Sequence, residues 1–309
     1  MLSLLGDVYS ACYGFVNAML IRLEYPAVTC LAYLTFELLL PRTRNSLQSY
    51  VRGGLFVVCG IAVNTLVLTI LQELSGVSQV AAGTTVSGQP ASLVTLDLAR
   101  FTTSDNLAIR VAGWAAATFG VAVIADFFYY WTHRAQHTFA WLWRFHRVHH
   151  SVTEMSAINS YHHVTEDFFQ YVGVTLPLAF LLGVAAGPVP WLLIVLFNTH
   201  TYFTHSSTRI NIGPLRYVFT DNRLHRIHQS RELRHMNRNF GTTTPLWDVL
   251  FGTAYFPRAD EWPQVGLVDV QEPQTLRDYL MLPFRSDAEV APQPGLRPAT
   301  RLSTPGTKG

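Results

Sequence analysis

Residues 111–150 read VAGWAAATFGVAVIADFFYYWTHRAQHTFAWLWRFHRVHH. The first half, as far as Tyr130, carries a single charge, Asp126, and supplies the roughly 20 mainly apolar residues that cross a bilayer as a helix. Directly behind it come five histidines. His133 and His137 stand four positions apart, so on a continuing helix both imidazoles share one face. His146, His149 and His150 follow at i, i+3 and i+4, which gathers three nitrogen donors within about one turn. The stretch predicts a membrane helix that hands metal-ligating side chains to the water boundary.

The rest of the chain repeats the theme. All 12 histidines lie between His133 and His235, and seven of them fall between His133 and His163. LHRIHQ at 224–229 nearly repeats FHRVHH, with His225 and His228 at i and i+3 and Gln229 where the first motif has His150. Between the two stand YHHVTE at 161–166, with His162 and His163, and an apolar run ending in His200 and His205. A structural zinc site takes four ligands and usually includes thiolates. So many imidazoles suit two metals instead. Cys12, Cys30 and Cys59 sit in apolar stretches without C-x-x-C spacing, so they indicate neither a thiolate site nor a disulfide framework.

Composition points to lipid as part of the solvent. The 309 residues are 49% hydrophobic and 14% charged, against about 25% charged in an ordinary soluble domain, and the mean hydropathy is +0.20. A formal charge of +2 without a clustered basic stripe excludes nucleic acid as a partner. Membrane spans are predicted at about 26–41, which is apolar apart from Glu37, at 54–73 and at 109–131. Two further apolar runs, 171–186 and 189–202, are split by the breaker pair Gly187-Pro188 and read as a helical hairpin that enters the membrane and returns.

Arg42, Arg44 and Arg52 flank the loop between the first two spans, whereas 75–106 holds only Arg100. The positive-inside rule therefore puts the arginine loop, and by counting spans the histidine region, on the cytoplasmic side. Residues 1–28 lack the flank of a secretory signal and read as a retained, interfacial N-terminal segment; 257–288 read as a C-terminal extension, and 289–309, rich in Pro, Thr and Gly, as a disordered tail. The expected architecture is all-α: an integral-membrane helical bundle with a cytoplasmic histidine-rich catalytic cap, the membrane-embedded catalytic domain covering 29–256.

Imidazole serves iron, zinc, copper and nickel alike. The residues alone therefore leave three readings: an oxygenase, a zinc-dependent membrane hydrolase that activates water, and a non-catalytic membrane metal-binding protein. Nearly all-histidine ligation disfavours the hydrolase, whose sites usually mix in carboxylates. Ligands beyond the spans, not at the bilayer midplane, disfavour a carrier.

The order H-x3-H, H-x2-H-H, an isolated histidine and a near-match to a second H-x2-H-H resembles the fatty acid hydroxylase and sterol desaturase superfamily of integral-membrane di-iron oxygenases. ELLLPR at 37–42, YHHVTE, NRNFG at 237–241, LWDVLFGT at 246–253 and LPFR at 282–285 extend the resemblance over roughly residues 29–286. By it, His133, His137, His146, His149, His150, His225 and His228 match the metal-binding positions, and His205 in THSS matches the isolated histidine. His163 matches a recurring histidine, while His162, His200 and His235 have no counterpart. Gln229 departs from the pattern and leaves one metal short of an imidazole unless Gln229 itself or His235 fills the place. Asp126 and Glu166 are expected to orient imidazoles through their distal N–H groups; Asp248 fits that role or a helix cap.

The resemblance further implies two iron ions, with zinc as the alternative metal, and O2-dependent hydroxylation or desaturation of a fatty acyl, sterol or related lipid. The short loops look most like bacterial members, which implies the inner membrane. Electrons are expected from a separate donor such as a ferredoxin or cytochrome with its reductase, because no nucleotide-binding glycine fingerprint or haem motif is present.

Overall fold

The computed structural model describes residues 20, 24, 27–75, 94–96, 104–184 and 188–285. Most of the expected interfacial segment 1–28, most of the loop between the second and third spans, Gly187 of the breaker pair and the expected tail 289–309 lie outside the described residues.

Helices α1 (Ala27–Leu39), α2 (Leu47–Ser75) and α3 (Leu107–Thr138) carry the apolar stretches read from the sequence. Two of them, Leu47–Leu71 within α2 and α3 itself, are long and apolar enough to cross a membrane, and only 22% and 17% of their most apolar windows are buried. A core helix of a soluble protein buries its apolar residues; here Leu47, Val51, Leu55, Leu66 and Ile70 all stand at least half exposed. Deep in α2 the threonine hydroxyls are satisfied inside the helix, Thr65 donating to the Ile61 carbonyl and Thr69 to that of Thr65, each at 2.7 Å. That is what a hydrocarbon environment demands. Asn106 caps α3, its side chain accepting from the amides of Ala108 and Ile109. With 32 residues, α3 is about 48 Å long at 1.5 Å per residue and outruns a hydrocarbon core of roughly 30 Å. His133 and His137 lie in its last two turns.

Phe139, extended at φ −95° and ψ 118°, ends α3 and starts α4 (Ala140–His150). Then follow α5 (Glu166–Gln170), a wide π turn at Tyr171–Thr175, α6 (Leu176–Leu181), α7 (Pro188–His205), α8 (Asn222–His228), α9 (Leu246–Leu250) and α10 (Leu276–Met281). The run 171–186 is thus helical as far as Leu181, with one π turn, and turns extended at Leu182. Gly173 of the π turn lies against α3 so closely that a Cβ there would stand 2.3 Å from Thr132 Oγ1.

The all-α expectation needs one amendment. Leu182 leaves α6 in extended backbone, and β2 (Leu182–Val184) pairs in parallel with β1 (Val94–Leu96), Val94 opposite Leu182. Three residues a side close the link between the second loop and the hairpin.

The core of the cap sits where α2 meets α4 and α10. Phe56 is fully buried, stacks on Tyr279 at 4.6 Å and meets Tyr161 edge-on at 5.0 Å, with Val148, Val152 and Leu282 around them. Glu37, near the end of α1 and 2% exposed, accepts from the amides of Ala157 (2.8 Å) and Ser207 (2.9 Å). One carboxylate thereby ties the first membrane-side helix to two cap segments.

Candidate metal centre

Eight of the expected ligands assemble into two groups. The first brings together His133 and His137 from α3, His146 and His150 from α4, and His228 from α8; the second brings together His149, His205 and His225. An α-helix turns about 100° per residue, so i+4 lies about 40° to one side of i and i+3 about 60° to the other. His146 and His150 accordingly face one group while His149 faces the other, and α4 stands between them.

The ring nitrogens converge. Nε2 of His146 is 2.9 Å from that of His133 and 3.2 Å from that of His150, and His150 Nε2 is 3.1 Å from His228 Nε2. In the second group His205 Nε2 lies 3.2 Å from His149 Nε2 and 2.9 Å from His225 Nε2. Nitrogens bound cis to one metal at about 2.1 Å stand about 3.0 to 3.4 Å apart.

Tautomers sharpen the fit. A carbonyl only accepts, so Nδ1 carries the hydrogen in His133 (to Phe240 O, 2.8 Å), His228 (to Arg238 O, 2.8 Å), His149 (to Tyr161 O, 3.1 Å) and His205 (to Thr201 O, 2.8 Å). Their Nε2 atoms then present lone pairs to the centre. His149 and His205 point lone pair at lone pair, an arrangement that repels unless a cation lies between them. His137 Nε2 is likewise buried without a hydrogen-bond partner. Burial first, and neighbouring imidazoles second, hold His149, His150 and His225 well below the ordinary imidazole pKa range; His228 falls to about 3 through burial, against the Arg238 hydrogen bond. Neutral imidazole is the form that ligates. The residues fit a metal centre.

Surrounding groups differ from expectation in several places. Glu166 lies 3.9 Å from His146 Nδ1, beyond hydrogen-bond distance, and is held by the side-chain amides of Gln136 and Gln170. Asp126 touches no imidazole: its carboxylate accepts from the amides of Thr242, Thr243 and Thr244. Asp248 does the neighbouring task, accepting from the amides of Phe240 (2.8 Å) and Gly241 (2.7 Å) and from the Thr253 hydroxyl. Together the two carboxylates shape the loop whose carbonyls orient His133 and His228. Asn237 and Asn239 take the left-handed conformation in that loop, at φ 57° and 56°, where asparagine is better tolerated than most residues.

His163 and His235 are not brought to either group. His163 bonds Thr165 Oγ1 and the Leu280 carbonyl, and His235 bonds Ser230 Oγ and Glu261. His235 is therefore no substitute at Gln229. Gln229 does reach the second group, its side-chain nitrogen 3.5 Å from His225 Nε2. His162, which sequence reasoning left without a role, lies parallel on His149 at 3.7 Å and forms a third cluster with His146 and Glu166. Its place one residue before His163 was the only signal, and the two adjacent imidazoles point to different neighbours.

A cavity of about 400 Å³ opens onto the second group, where His149, His205 and His225 meet walls of Val121, Ala125, Leu178, Leu193 and Phe197.

Comparison with known proteins agrees with this arrangement. The fatty acid hydroxylase family model matches residues 118–253. An ornithine lipid hydroxylase of Rhizobium tropici is 36% identical over 150 residues, 47% of this chain and 44% of the relative. A fatty acid hydroxylase of Lecanicillium is 32% identical over 148 residues, 42% of this chain and 40% of its own. An alkylglycerol monooxygenase of Caenorhabditis elegans is 31% identical over 150 residues, 46% and 28% respectively. The chain thus spans less than half the length of these relatives. No solved structure matches. The matched region takes in every residue of both histidine groups and the loop that orients them, and it is over this region that the chain is similar to the fatty acid hydroxylase family.

Proposed function

We propose that this protein is an O2-dependent di-iron hydroxylase or desaturase acting on a fatty acyl, sterol or related lipid. The observation that carries the reading is the pairing of two convergent imidazole groups with an apolar cavity that runs from one of them between α3 and the hairpin. The named activities of the relatives, hydroxylation of an ornithine lipid or a fatty acid and monooxygenation of an alkylglycerol, support a lipid as substrate.

His133, His137, His146, His150 and His228 would hold one iron, and His149, His205 and His225 the other. When bound, two ferrous ions supply the electrons that turn O2 into an oxidant for an unactivated C–H bond, work beyond acid–base side chains. The chain's own contribution is position and dryness. Val121, Leu178, Leu193 and Phe197 receive the hydrocarbon and exclude water, and the imidazoles at the cavity's end fix which carbon lies nearest the chemistry. The carbonyls of Phe240, Arg238, Tyr161 and Thr201 keep those rings from turning. The arginine distribution supports a multi-pass inner-membrane protein with its cap in the cytoplasm, where a separate ferredoxin or cytochrome with its reductase delivers electrons.

The test is elemental analysis of full-length protein purified anaerobically from iron-supplemented cells, followed by lipid profiling under 18O2. About two irons per chain with 18O-labelled or newly unsaturated lipid is the expected result. Zinc as the sole metal after iron-replete purification, with no oxygen-dependent product, overturns the reading in favour of a hydrolase.

A further inference from the structure

The two histidine motifs interleave. In FHRVHH the i and i+4 residues, His146 and His150, enter the first group, while His149 at i+3 crosses to the second. In LHRIHQ the assignment is mirrored: His225 at i enters the second group and His228 at i+3 crosses to the first. The i+4 residue of this motif is Gln229, buried at 3% exposure on the same side of α8 as His225 and 3.5 Å from its Nε2. Gln229 therefore occupies, in the second group, the place that His150 occupies in the first.

Its backbone is fixed there, the amide donating to the His225 carbonyl and the carbonyl accepting from Gly266. A half-turn of the terminal amide presents Oε1 instead of Nε2 to the same spot. A neutral carboxamide oxygen is a poorer donor than imidazole to a late first-row divalent ion. The second group also has fewer imidazoles, three against five, and it alone borders the apolar cavity, whose lining includes His149, His205 and His225 but none of the five.

We propose that the two metals are held unequally: the second group binds its metal through three imidazoles and the Gln229 carboxamide oxygen, so that this metal, facing the cavity, exchanges while the first does not. The inference rests on reading both groups as metal centres. It makes the chain a protein with one permanent and one replaceable metal, and it makes Gln229 the residue that sets the difference.

The experiment is release of Fe(II) to excess ferrozine from the iron-loaded, full-length protein in detergent under anaerobic conditions, read by absorbance. Two phases are expected, one equivalent leaving at least about ten-fold faster than the other. Q229H should merge them into a single slow phase. Q229E keeps the shape while supplying a charged oxygen, and it should slow the fast phase alone. H150Q, the mirror substitution, should make the second equivalent fast as well. Two equivalents leaving together from the wild type, or fast phases unchanged in both Q229H and Q229E, overturn the proposal. Such results leave the di-iron reading intact, whereas a wild-type protein that takes up no metal overturns both.

Discussion

The imidazole of His133, at the end of a membrane-length helix, donates its Nδ1–H to the carbonyl of Phe240 at 2.8 Å. The loop around Phe240 contributes no ligand, yet it sets two rings of the first group, because the Arg238 carbonyl takes the Nδ1–H of His228.

Asp248 holds that loop. Replacing it with alanine strands the buried amides of Phe240 and Gly241, at a cost of about 1–3 kcal/mol for each unpaired donor. D248A should lower the unfolding temperature by several degrees and lose metal from the first group. Differential scanning fluorimetry with metal analysis checks both; wild-type iron content in D248A would show that the loop does not position the rings.

Gly241 packs at the tightest point of the same loop. A Cβ there would lie 2.4 Å from the Thr244 carbonyl oxygen and 3.0 Å from Asp248 Oδ2, so G241A should destabilise by about 1–3 kcal/mol. Gly120, exposed on α3 with nothing within 4 Å of its Cβ position, is the control. G120A should be neutral or stabilising by up to about 1 kcal/mol. Thermal unfolding of the two variants side by side gives the comparison.

The histidines divide by what their nitrogens already do. H149A and H133A should each reduce bound metal and abolish activity with helix content unchanged, since those rings converge with others. H163A and H235A should leave metal content at the wild-type level, because both rings spend their nitrogens on protein partners. Metal-to-protein ratios and circular dichroism decide the matter.

Glu37 links α1 to the cap through two backbone amides. E37A should cost on the order of 3 kcal/mol, and the damage should appear as faster proteolysis around 155–160 and 205–210 while the membrane helices stay protected. Cleavage confined elsewhere would contradict the tie.

The long membrane helices and the convergence of imidazoles were legible in sequence because both depend on local periodicity: twenty apolar residues, or spacings of three and four. The division into two groups was not, although it follows from the same helix geometry. A compact H-x2-H-H motif reads as one triplet until α4 is seen standing between two centres. Asp126 was expected at an imidazole and instead holds the amides of Thr242–Thr244, a partnership no local pattern announces. The same holds for His163 with Leu280 and His235 with Glu261, whose partners arrive from distant segments. The close approach of Gly173 to Thr132 of α3 likewise depends on a distant segment, and the apolar run 171–186 gave no warning of it.

The interleaving of α4 and α8 also governs the order in which the molecule can be completed during synthesis. Neither group has all its imidazoles until α8 has emerged, since His225 belongs to one and His228 to the other. Once α8 docks, both groups are closed by the same seven-residue helix, so neither can be completed, or opened at that helix, without the other.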